Sequence, residues 1–332
     1  MSYKLSIVGA SGHWSYVVDC LDLAPEVNFC SYAPAYEGEN VSAFGIMEFF
    51  DRKPVEYKDY RIMLEKEKPD IVVVNPRYDQ IAPISMEAVQ HGCHVIAEKP
   101  IALDLHSLNR LKKLVDNAGV RLTTMFGIRF QQAFYTAKKV VDQGLIGESI
   151  LLYAQKSYQW GDSRPEWYKK RETYGSTINW VGIHALDYAR WISGLEYTEI
   201  FGYHSNKLHL DYPDCQDNVG LVAKCSNGGT AVFNFDYLRP AGAATHGDDR
   251  LRIAGSRGVL EIIGRKAQLH IIDETGEHKR WPLETGPRFL LDFLGDIEGK
   301  QASIISQDDA FRVTEIAIKA TKSADTGKPV KL

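Results

Sequence analysis

The chain has 332 residues, of which 44% are hydrophobic and 25% are charged, and its formal net charge is −4 at pH 7. This composition is typical of a globular protein of two domains, and it gives no electrostatic footprint for nucleic acid or an anionic membrane. No apolar run approaches the ~18 residues of a membrane span, no leader pattern is present, and the five scattered cysteines lack CxxC spacing. We expect a cytoplasmic protein whose thiols are reduced.

The beginning of the chain has the pattern of a dinucleotide-binding turn. A strand is expected over residues 4–10 and a helix over residues 15–23, with the segment GASGHW from Gly9 to Trp14 between them. Glycines at such a turn let the backbone approach a pyrophosphate. The match to G-x-G-x-x-G is imperfect because Ser11 and Trp14 stand at glycine positions, so an ordinary tight turn remains the alternative.

The second strand, expected over residues 27–32, ends without the usual acid. Folds of this kind place a carboxylate there to bind the adenosine ribose, but this chain has Ala33 and Pro34. Glu37 and Glu39 follow in an expected loop, and no nearby cation is offered to a 2′-phosphate. We therefore expect NAD to be preferred over NADP by only about tenfold, equivalent to about 1.4 kcal/mol.

The segment from Asp70 to Pro100 predicts a strand, a helix and a second strand. The strands are the apolar runs 71–74 and 94–97, and the helix between them ends at His91-Gly92. Lys99 follows the second strand at the carboxyl edge, where open parallel sheets bind ligands. A solvated lysine at the end of a strand is the alternative interpretation.

The remaining elements fall into two groups. Helices are expected over 44–50, 60–67, 105–117 and 130–143, with a strand over 120–125. From residue 150 the apolar period becomes two, which predicts an antiparallel sheet of about six strands, with helices over 178–192, 288–299 and 308–324. The fold class is thus an N-terminal Rossmann doubly wound sheet in residues 1–126, followed by an open, mostly antiparallel sheet domain in residues 127–332. The last helices either stay in the second domain or return to the first.

Together these pieces resemble, nearly end to end, the family of glucose–fructose oxidoreductase and inositol dehydrogenase (Gfo/Idh/MocA). The segments that carry the resemblance are Glu98-Lys99-Pro100, Gly127 to Phe130, Gly144 to Gly147, Gly182 to Asp187, and the tail from Asp308 through Val330. The resemblance implies an NAD- or NADP-dependent oxidoreductase acting on a secondary alcohol of a sugar, cyclic polyol or sugar-derived acid. It also implies a cis peptide before the proline, and a homodimer or homotetramer formed through the sheet.

The resemblance assigns roles to particular residues. It makes Lys99 and His184 catalytic, with Lys99 holding the substrate hydroxyl and His184 accepting its proton near neutral pH. The expected cofactor-binding residues are Gly9, Ser11, Gly12, His13, Ala33, Asn75, Pro76, Gln80, Glu98 and Lys99. The expected substrate-binding residues are Trp180, Asp187, Arg164, Arg239, Tyr158 and His246. The alternative interpretation of His184 and Asp187 is a buried pair with a structural role. The alternative interpretation of the loops that carry Arg164 and Arg239 is that they are ordinary solvated loops.

Three positions depart from the family pattern. Ala33 replaces the ribose-binding acid, Gln80 replaces a histidine, and Trp180 replaces an aspartate four residues before His184. Trp180 either stacks on a sugar ring or packs the helix. Its presence keeps a second hypothesis open, namely a non-redox relative that retains the nucleotide while cleaving or isomerising sugars, or that senses a ligand without turnover. The spacing of His209, Asp211 and Asp214 is not diagnostic of a metal, and none is expected.

Overall fold

The computed structural model describes residues 2–45, 53–161, 164–264 and 267–332. The chain divides into two compact units, Met1–Gly127 with Pro287–Thr314, and Ile128–Gly286 with Glu315–Leu332. The closing helices therefore contribute to both units. Within the described ranges, no helix is long and apolar enough to cross a membrane.

Helices and strands are numbered here in chain order, over the described residues. The strands β1 to β15 are Tyr3–Val8, Val27–Ala33, Val55–Glu56, Ile71–Val74, His94–Ala97, Leu122–Thr124, Ser149–Gln159, Tyr197–Ser205, Asn218–Cys225, Thr230–Arg239, Gly247–Gly255, Val259–Ile263, Gln268–Ile272, His278–Arg280 and Val330–Lys331. The helices α1 to α10 are Ser15–Val18, Ser42–Gly45, Tyr60–Glu67, Ile81–Gln90, Leu105–Ala118, Gln132–Asp142, Arg171–Tyr174, Ile183–Ser193, Phe289–Ile297 and Gln307–Thr326.

The first unit is built on a parallel sheet of six strands in the order β3-β2-β1-β4-β5-β6. Strand β4 is completely buried, as its continuous apolar run predicts for a strand covered on both faces. The chain starts in the middle of the sheet and winds outward in both directions. The predicted doubly wound Rossmann fold is confirmed.

The described helices of this unit follow their sequence signals, with one exception. The helix expected over residues 15–23 stops at Val18 and is followed by a 3₁₀ turn over Leu21–Leu23. Pro25 disfavours a helical conformation in the residue before it, and Ala24 has φ −126° and ψ 67°. Of the helix expected over 44–50, only the part up to Gly45 lies among the described residues.

Helix α5 shows both of its expected end signals. The Asp104 carboxylate accepts a hydrogen bond from the Ser107 N–H at 2.8 Å at the first turn. The helix ends at Gly119, whose φ of 68° lies in the left-handed region that favours glycine. Local chemistry is therefore sufficient to place this helix.

The second unit contains a mixed sheet of nine strands in the order β14-β13-β12-β11-β7-β10-β9-β8-β15. The expected open, mostly antiparallel sheet is confirmed, whereas the expected number of about six strands was wrong. Among the described residues β7 and β10 run parallel, while the other pairs of this sheet are antiparallel. β10 follows the β8–β9 hairpin back along β7, and β11 then pairs with the opposite edge of β7. This central position places β7 between two strands that arrive later in the chain.

The two faces of this sheet differ in what covers them. Along β7, Leu152 and Ala154 are fully buried, and α8 packs on this side. On the opposite face Leu151 is 42% exposed and Tyr153 is 37% exposed. The alternation predicted for β7 is thus present, but two of its outward positions, Leu151 and Tyr153, are apolar rather than polar.

Candidate active site

The glycine-rich turn after β1 is packed against the ends of β4 and β5. Gly9 has φ 79°, and a Cβ atom there would lie 2.7 Å from the Pro76 nitrogen. A Cβ on Gly12 would lie 2.2 Å from Glu98 Oε2 and 2.6 Å from Asn75 Oδ1. Both glycines are therefore required by close approach, Gly9 to backbone and Gly12 to polar side chains.

Glu98 and Lys99 lie immediately after β5, and both side chains are buried, at 0% and 1% exposure. A carboxylate oxygen of Glu98 accepts from the His13 backbone N–H, and the His13 ring Nδ1 lies 2.8 Å from it. The second oxygen accepts from the Lys99 N–H at 2.8 Å. Burial by itself would raise the pKa of Glu98, but the His13 and Lys99 charges and the hydrogen bonds from His13 lower it below its ordinary value.

The burial of Lys99 excludes the interpretation of a solvated lysine at the end of a strand. The expected cis peptide is present between Lys99 and Pro100. The structure thus holds the Lys99 side chain buried in the first unit, directly after Glu98 and at the carboxyl edge of the parallel sheet.

Three further predicted cofactor residues line the same edge. Ala33 is fully buried, and its carbonyl accepts from the Gly9 N–H at 2.9 Å, so it contributes backbone rather than side chain. Both polar atoms of the Asn75 side-chain amide are buried and have no hydrogen-bond partner among the described residues, and the same holds for Gln80 Oε1. Buried polar groups are normally satisfied, so these orphaned atoms are suited to a polar ligand such as a nicotinamide dinucleotide.

The carboxylate of Glu39, which was not among the expected site residues, lies against the glycine turn. Its Oε1 accepts from the Ala10 N–H at 3.0 Å and from Ser11 Oγ at 2.7 Å, and its Oε2 accepts from the Ala35 N–H at 2.8 Å. The chain returns to the glycine turn through Gly38, whose φ is 84°. The sequence signal was a glycine that allows a tight turn, directly before an acid.

A cation also lies near this loop, contrary to the expectation that none is offered. The Arg77 guanidinium sits over the Tyr36 ring at 5.2 Å. Its Nε and Nη2 donate to the two oxygens of Asp79 at 2.7 and 3.0 Å, so its charge is balanced locally.

In the second unit, His184 is carried by a helix whose first turn is widened. A π-helical turn over Ile178–Gly182 leads directly into α8. His184 is 3% exposed, and Trp180 within the π turn is 9% exposed. Such single π turns occur often at functional sites because they reorient the side chains that follow.

Asp187, one turn after His184, is held by a residue that the sequence analysis did not select. The Arg129 guanidinium forms a forked pair with both carboxylate oxygens, with Nε at 3.0 Å from Oδ2, and both side chains are buried. Arg129 also lies over the Trp191 ring at 5.1 Å. The Asp187 oxygens are thus engaged by Arg129, which indicates a structural role, and a direct contact between Asp187 and substrate stays a prediction.

The other predicted substrate residues are ordered rather than loosely solvated. The Tyr158 and His246 rings pack together with centroids 4.9 Å apart, and burial followed by the charges of Arg164 and Lys156 lowers the pKa of His246. Arg164 Nε donates to the Trp160 carbonyl at 2.6 Å, and its guanidinium lies 4.6 Å from the Tyr237 ring centre.

Arg239 is tied to its own loop, because its Nε donates to the Thr245 carbonyl at 2.8 Å. Within the described ranges, no group of three or more His, Cys, Asp or Glu side chains could hold a metal ion.

Two family models match this chain. One, an oxidoreductase family with an NAD-binding Rossmann fold, matches residues 37–126, and the other, the GFO/IDH/MocA C-terminal domain, matches residues 134–261. The chain belongs to the Gfo/Idh/MocA oxidoreductase family. It is therefore an NAD-binding oxidoreductase, as the resemblance of its motifs indicated.

Individual relatives agree with this assignment. A solved structure of a candidate oxidoreductase from Thermotoga maritima superposes with a TM-score of 0.94 at 38% identity, covering 99% of this chain and 100% of that one. The myo-inositol 2-dehydrogenase of Thermotoga maritima is 25% identical over 288 residues, which are 83% of this chain and 84% of the relative. The 2,7-anhydro-N-acetylneuraminate hydratase of Mediterraneibacter gnavus is 25% identical over 197 residues, which are 58% of this chain and 50% of the relative.

Proposed function

We propose that this oxidoreductase transfers a hydride between NAD and a secondary alcohol of a sugar, cyclic polyol or sugar-derived acid. The observation that carries the proposal is the position of the Lys99 side chain, which is buried at the carboxyl edge of the parallel sheet, directly after Glu98. Open parallel sheets bind their ligands at this edge. The name of the myo-inositol 2-dehydrogenase relative supports the substrate class.

The residues of this family member have distinct roles in such a reaction. Bound NAD supplies the hydride acceptor. Lys99 donates a hydrogen bond to the reacting hydroxyl and orients it, and His184 accepts the hydroxyl proton. Trp180 offers an aromatic face to the substrate ring, while Arg129 and Asp187 fix the helix that presents His184.

The cofactor side rests on the orphaned polar atoms of the first unit. Asn75 and Gln80 offer buried amide groups, and Gly9 and Gly12 leave room for backbone approach. Glu39 stands where adenosine ribose hydroxyls are received and where a 2′-phosphate is repelled. We therefore expect the preference for NAD to exceed the tenfold expected from the sequence.

Fluorescence titration with NADH and NADPH tests this preference at fixed ionic strength. Glu39→Gln should weaken NADH binding and narrow the difference between the two cofactors, whereas Glu37→Gln serves as a neighbouring control. If the ratio of NADH to NADPH affinity is the same in the Glu39→Gln variant and in the unmodified protein, Glu39 has no role in selecting the cofactor.

A turnover assay tests the reaction itself. The purified protein is incubated with NAD and a panel of polyols and aldoses that includes myo-inositol and D-glucose, and the absorbance of reduced nicotinamide is followed. Accumulation of reduced cofactor in proportion to oxidised product is expected. The proposal fails if NAD binds but no member of the panel produces reduced cofactor.

A non-redox reaction is the second candidate, because Trp180 replaces the expected acid and one relative is named as a hydratase. In that case sugar would be consumed while the cofactor shows no net reduction. Ligand binding without any consumption would instead favour a sensing role. Product analysis alongside the absorbance assay distinguishes these outcomes.

Self-association through the open sheet face is part of the proposal. Apolar side chains 37–66% exposed lie on this face, namely Leu151, Tyr153, Tyr203, Val222 and Val232. Such a patch is unusual for a monomer. Light scattering of the unmodified protein should give the molar mass of a dimer or tetramer, and the double variant Val222→Lys/Val232→Lys should have a lower molar mass. If the unmodified protein is already a monomer, self-association through this face is wrong.

A cytoplasmic location also stays a prediction.

A further inference from the structure

The buried face of the second sheet changes character at one row of residues. Lower rows are apolar, with Leu152 beside Ala231 and Ile253, and Ala154 beside Phe233 and Leu251. The next row places Lys156 between Phe235 and Asp249. A charged pair therefore interrupts an apolar surface at this level.

Lys156 and Asp249 form a close ion pair. The ammonium lies 2.8 Å from Asp249 Oδ2 and 4.7 Å from the Tyr158 ring centre, and the Lys156 side chain is 1% exposed. Burial lowers the pKa of Lys156, but the charges of Asp249 and Tyr158 and the hydrogen bonds to both side chains together more than offset this, so that the pKa is raised overall and Lys156 stays charged. Asp249 Oδ1 is buried and has no hydrogen-bond partner among the described residues.

The helix that carries His184 crosses this row. A Cβ on Gly182 would lie 2.4 Å from the Phe235 ring, so the helix backbone contacts the sheet there. Tyr188 donates to the carbonyls of Gln155 and Arg250 at 2.9 and 3.1 Å, each adjacent in sequence to a member of the ion pair. His184 lies between Gly182 and Tyr188 along this helix.

Stability alone is a weak reason to retain such a pair. Replacing a buried ion pair by apolar residues of similar volume is often neutral or stabilising. An unpartnered carboxylate oxygen adds a further penalty, since buried acceptors are normally satisfied. The buried ion pair and the unpartnered oxygen together indicate that a bound ligand donates a hydrogen bond to Asp249 Oδ1.

We propose that Lys156 and Asp249 bind two neighbouring hydroxyl groups of the substrate, Asp249 Oδ1 accepting from one and the Lys156 ammonium donating to the other. Asp249 would thereby supply the substrate site with a carboxylate, since Trp180 replaces the aspartate that the family pattern has four residues before His184. This inference rests on the proposed function, and it names a vicinal diol as the feature that the second unit recognises.

The test compares the unmodified protein with Asp249→Asn, Lys156→Met and the double variant Lys156→Met/Asp249→Leu. Lys139→Met is the matched control, because Lys139 pairs with Glu284 on the surface of the same unit. The readouts are KM and kcat with the polyol and aldose panel, NADH affinity by fluorescence, and the thermal midpoint.

Asp249→Asn is expected to raise KM at least about tenfold, the loss typical of a hydrogen bond to a charged group, with NADH affinity unchanged. A substrate lacking one of the two hydroxyls should lose affinity with the unmodified protein and show no further loss with the variant. The double variant should unfold at a temperature no lower than the unmodified protein. Lys139→Met should leave all readouts unchanged.

Unchanged KM in Asp249→Asn, while the unmodified protein turns over a polyol, would overturn the inference but leave the proposed function intact. If the unmodified protein turns over no member of the panel, the proposed function fails. The thermal midpoint of the double variant then decides whether the Lys156–Asp249 pair is needed for stability. A double variant that unfolds well below the control would then show that the pair is structural.

Discussion

The glycine turn of the first unit and the His184 region of the second place their polar side chains in different ways. Gly12, Asn75 and Glu98 all lie in turns at the carboxyl ends of neighbouring parallel strands, so the connectivity of the sheet brings them together. His184 and Lys156 lie on a helix and a strand that meet only when α8 packs on the sheet. In a parallel sheet the connectivity alone brings the residues at the strand ends together. A helix that packs on a sheet needs specific contacts to fix its position along the strands.

The two units also differ in how they stabilise a buried carboxylate. Burial acts to raise the pKa of Glu98 in the first unit, but the charges of His13 and Lys99 and the hydrogen bonds from His13 lower it overall. Asp187 in the second unit forms a buried ion pair with Arg129. Variants at these positions should therefore break function in one region and folding in the other.

The largest effect on turnover is expected from Lys99→Met. Loss of the ammonium that orients the hydroxyl should lower kcat by ~10²-fold or more, with cofactor affinity largely retained. Steady-state kinetics and NADH titration measure both quantities, and Lys112→Met on the surface of the same unit is the control. Near-normal turnover in Lys99→Met would remove this lysine from the mechanism.

The largest effect on stability is expected from Arg129→Met. Removing the guanidinium leaves the Asp187 carboxylate buried without its partner, which should lower the free energy of unfolding by about 3–5 kcal/mol. Denaturant unfolding measures this loss, and Arg129→Met/Asp187→Leu should recover part of it. If Arg129→Met were fully stable but had a raised KM, Asp187 would belong to the substrate site after all.

Gly12→Ala should have an intermediate effect that is confined to the first unit. The new methyl group would overlap Glu98 Oε2, so we expect a loss of about 1–3 kcal/mol together with weaker NADH binding. Gly242→Ala is the matched control, since nothing lies within 4 Å of a Cβ there. An alanine accepted at position 12 with unaltered NADH affinity would mean that the turn does not approach the cofactor closely.

The smallest effect is expected from Trp180→Phe. A phenyl ring retains most of the stacking surface, so the loss should be ~1 kcal/mol, or about fivefold in KM, while His184→Ala should reduce kcat. The two variants are compared by steady-state kinetics with one polyol. Higher activity in Trp180→Asp without loss of binding would indicate that the missing carboxylate is a deficit and that the stacking role is wrong.

The sequence by itself determined the parallel sheet, the ends of α5 and the position of Lys99. These features depend on signals within a few residues, such as an apolar run, an aspartate cap or a glycine in the left-handed region. The motifs around Lys99 and His184 also identified the family. For the same reason, the longer strands of the second unit could be located individually from their period of two, whereas the short strands β14 and β15 could not.

Only the tertiary structure decided which strands are neighbours and which charges meet. The parallel pairing of β7 with β10, the contact of Arg129 with Asp187 and the ion pair of Lys156 with Asp249 all join residues far apart in sequence. Glu39 reached the glycine turn through a loop whose path depends on Gly38 and on the donors it meets. Such contacts depend on long-range packing and on the cost of leaving a buried polar atom unpaired, and neither leaves a periodic pattern in the chain.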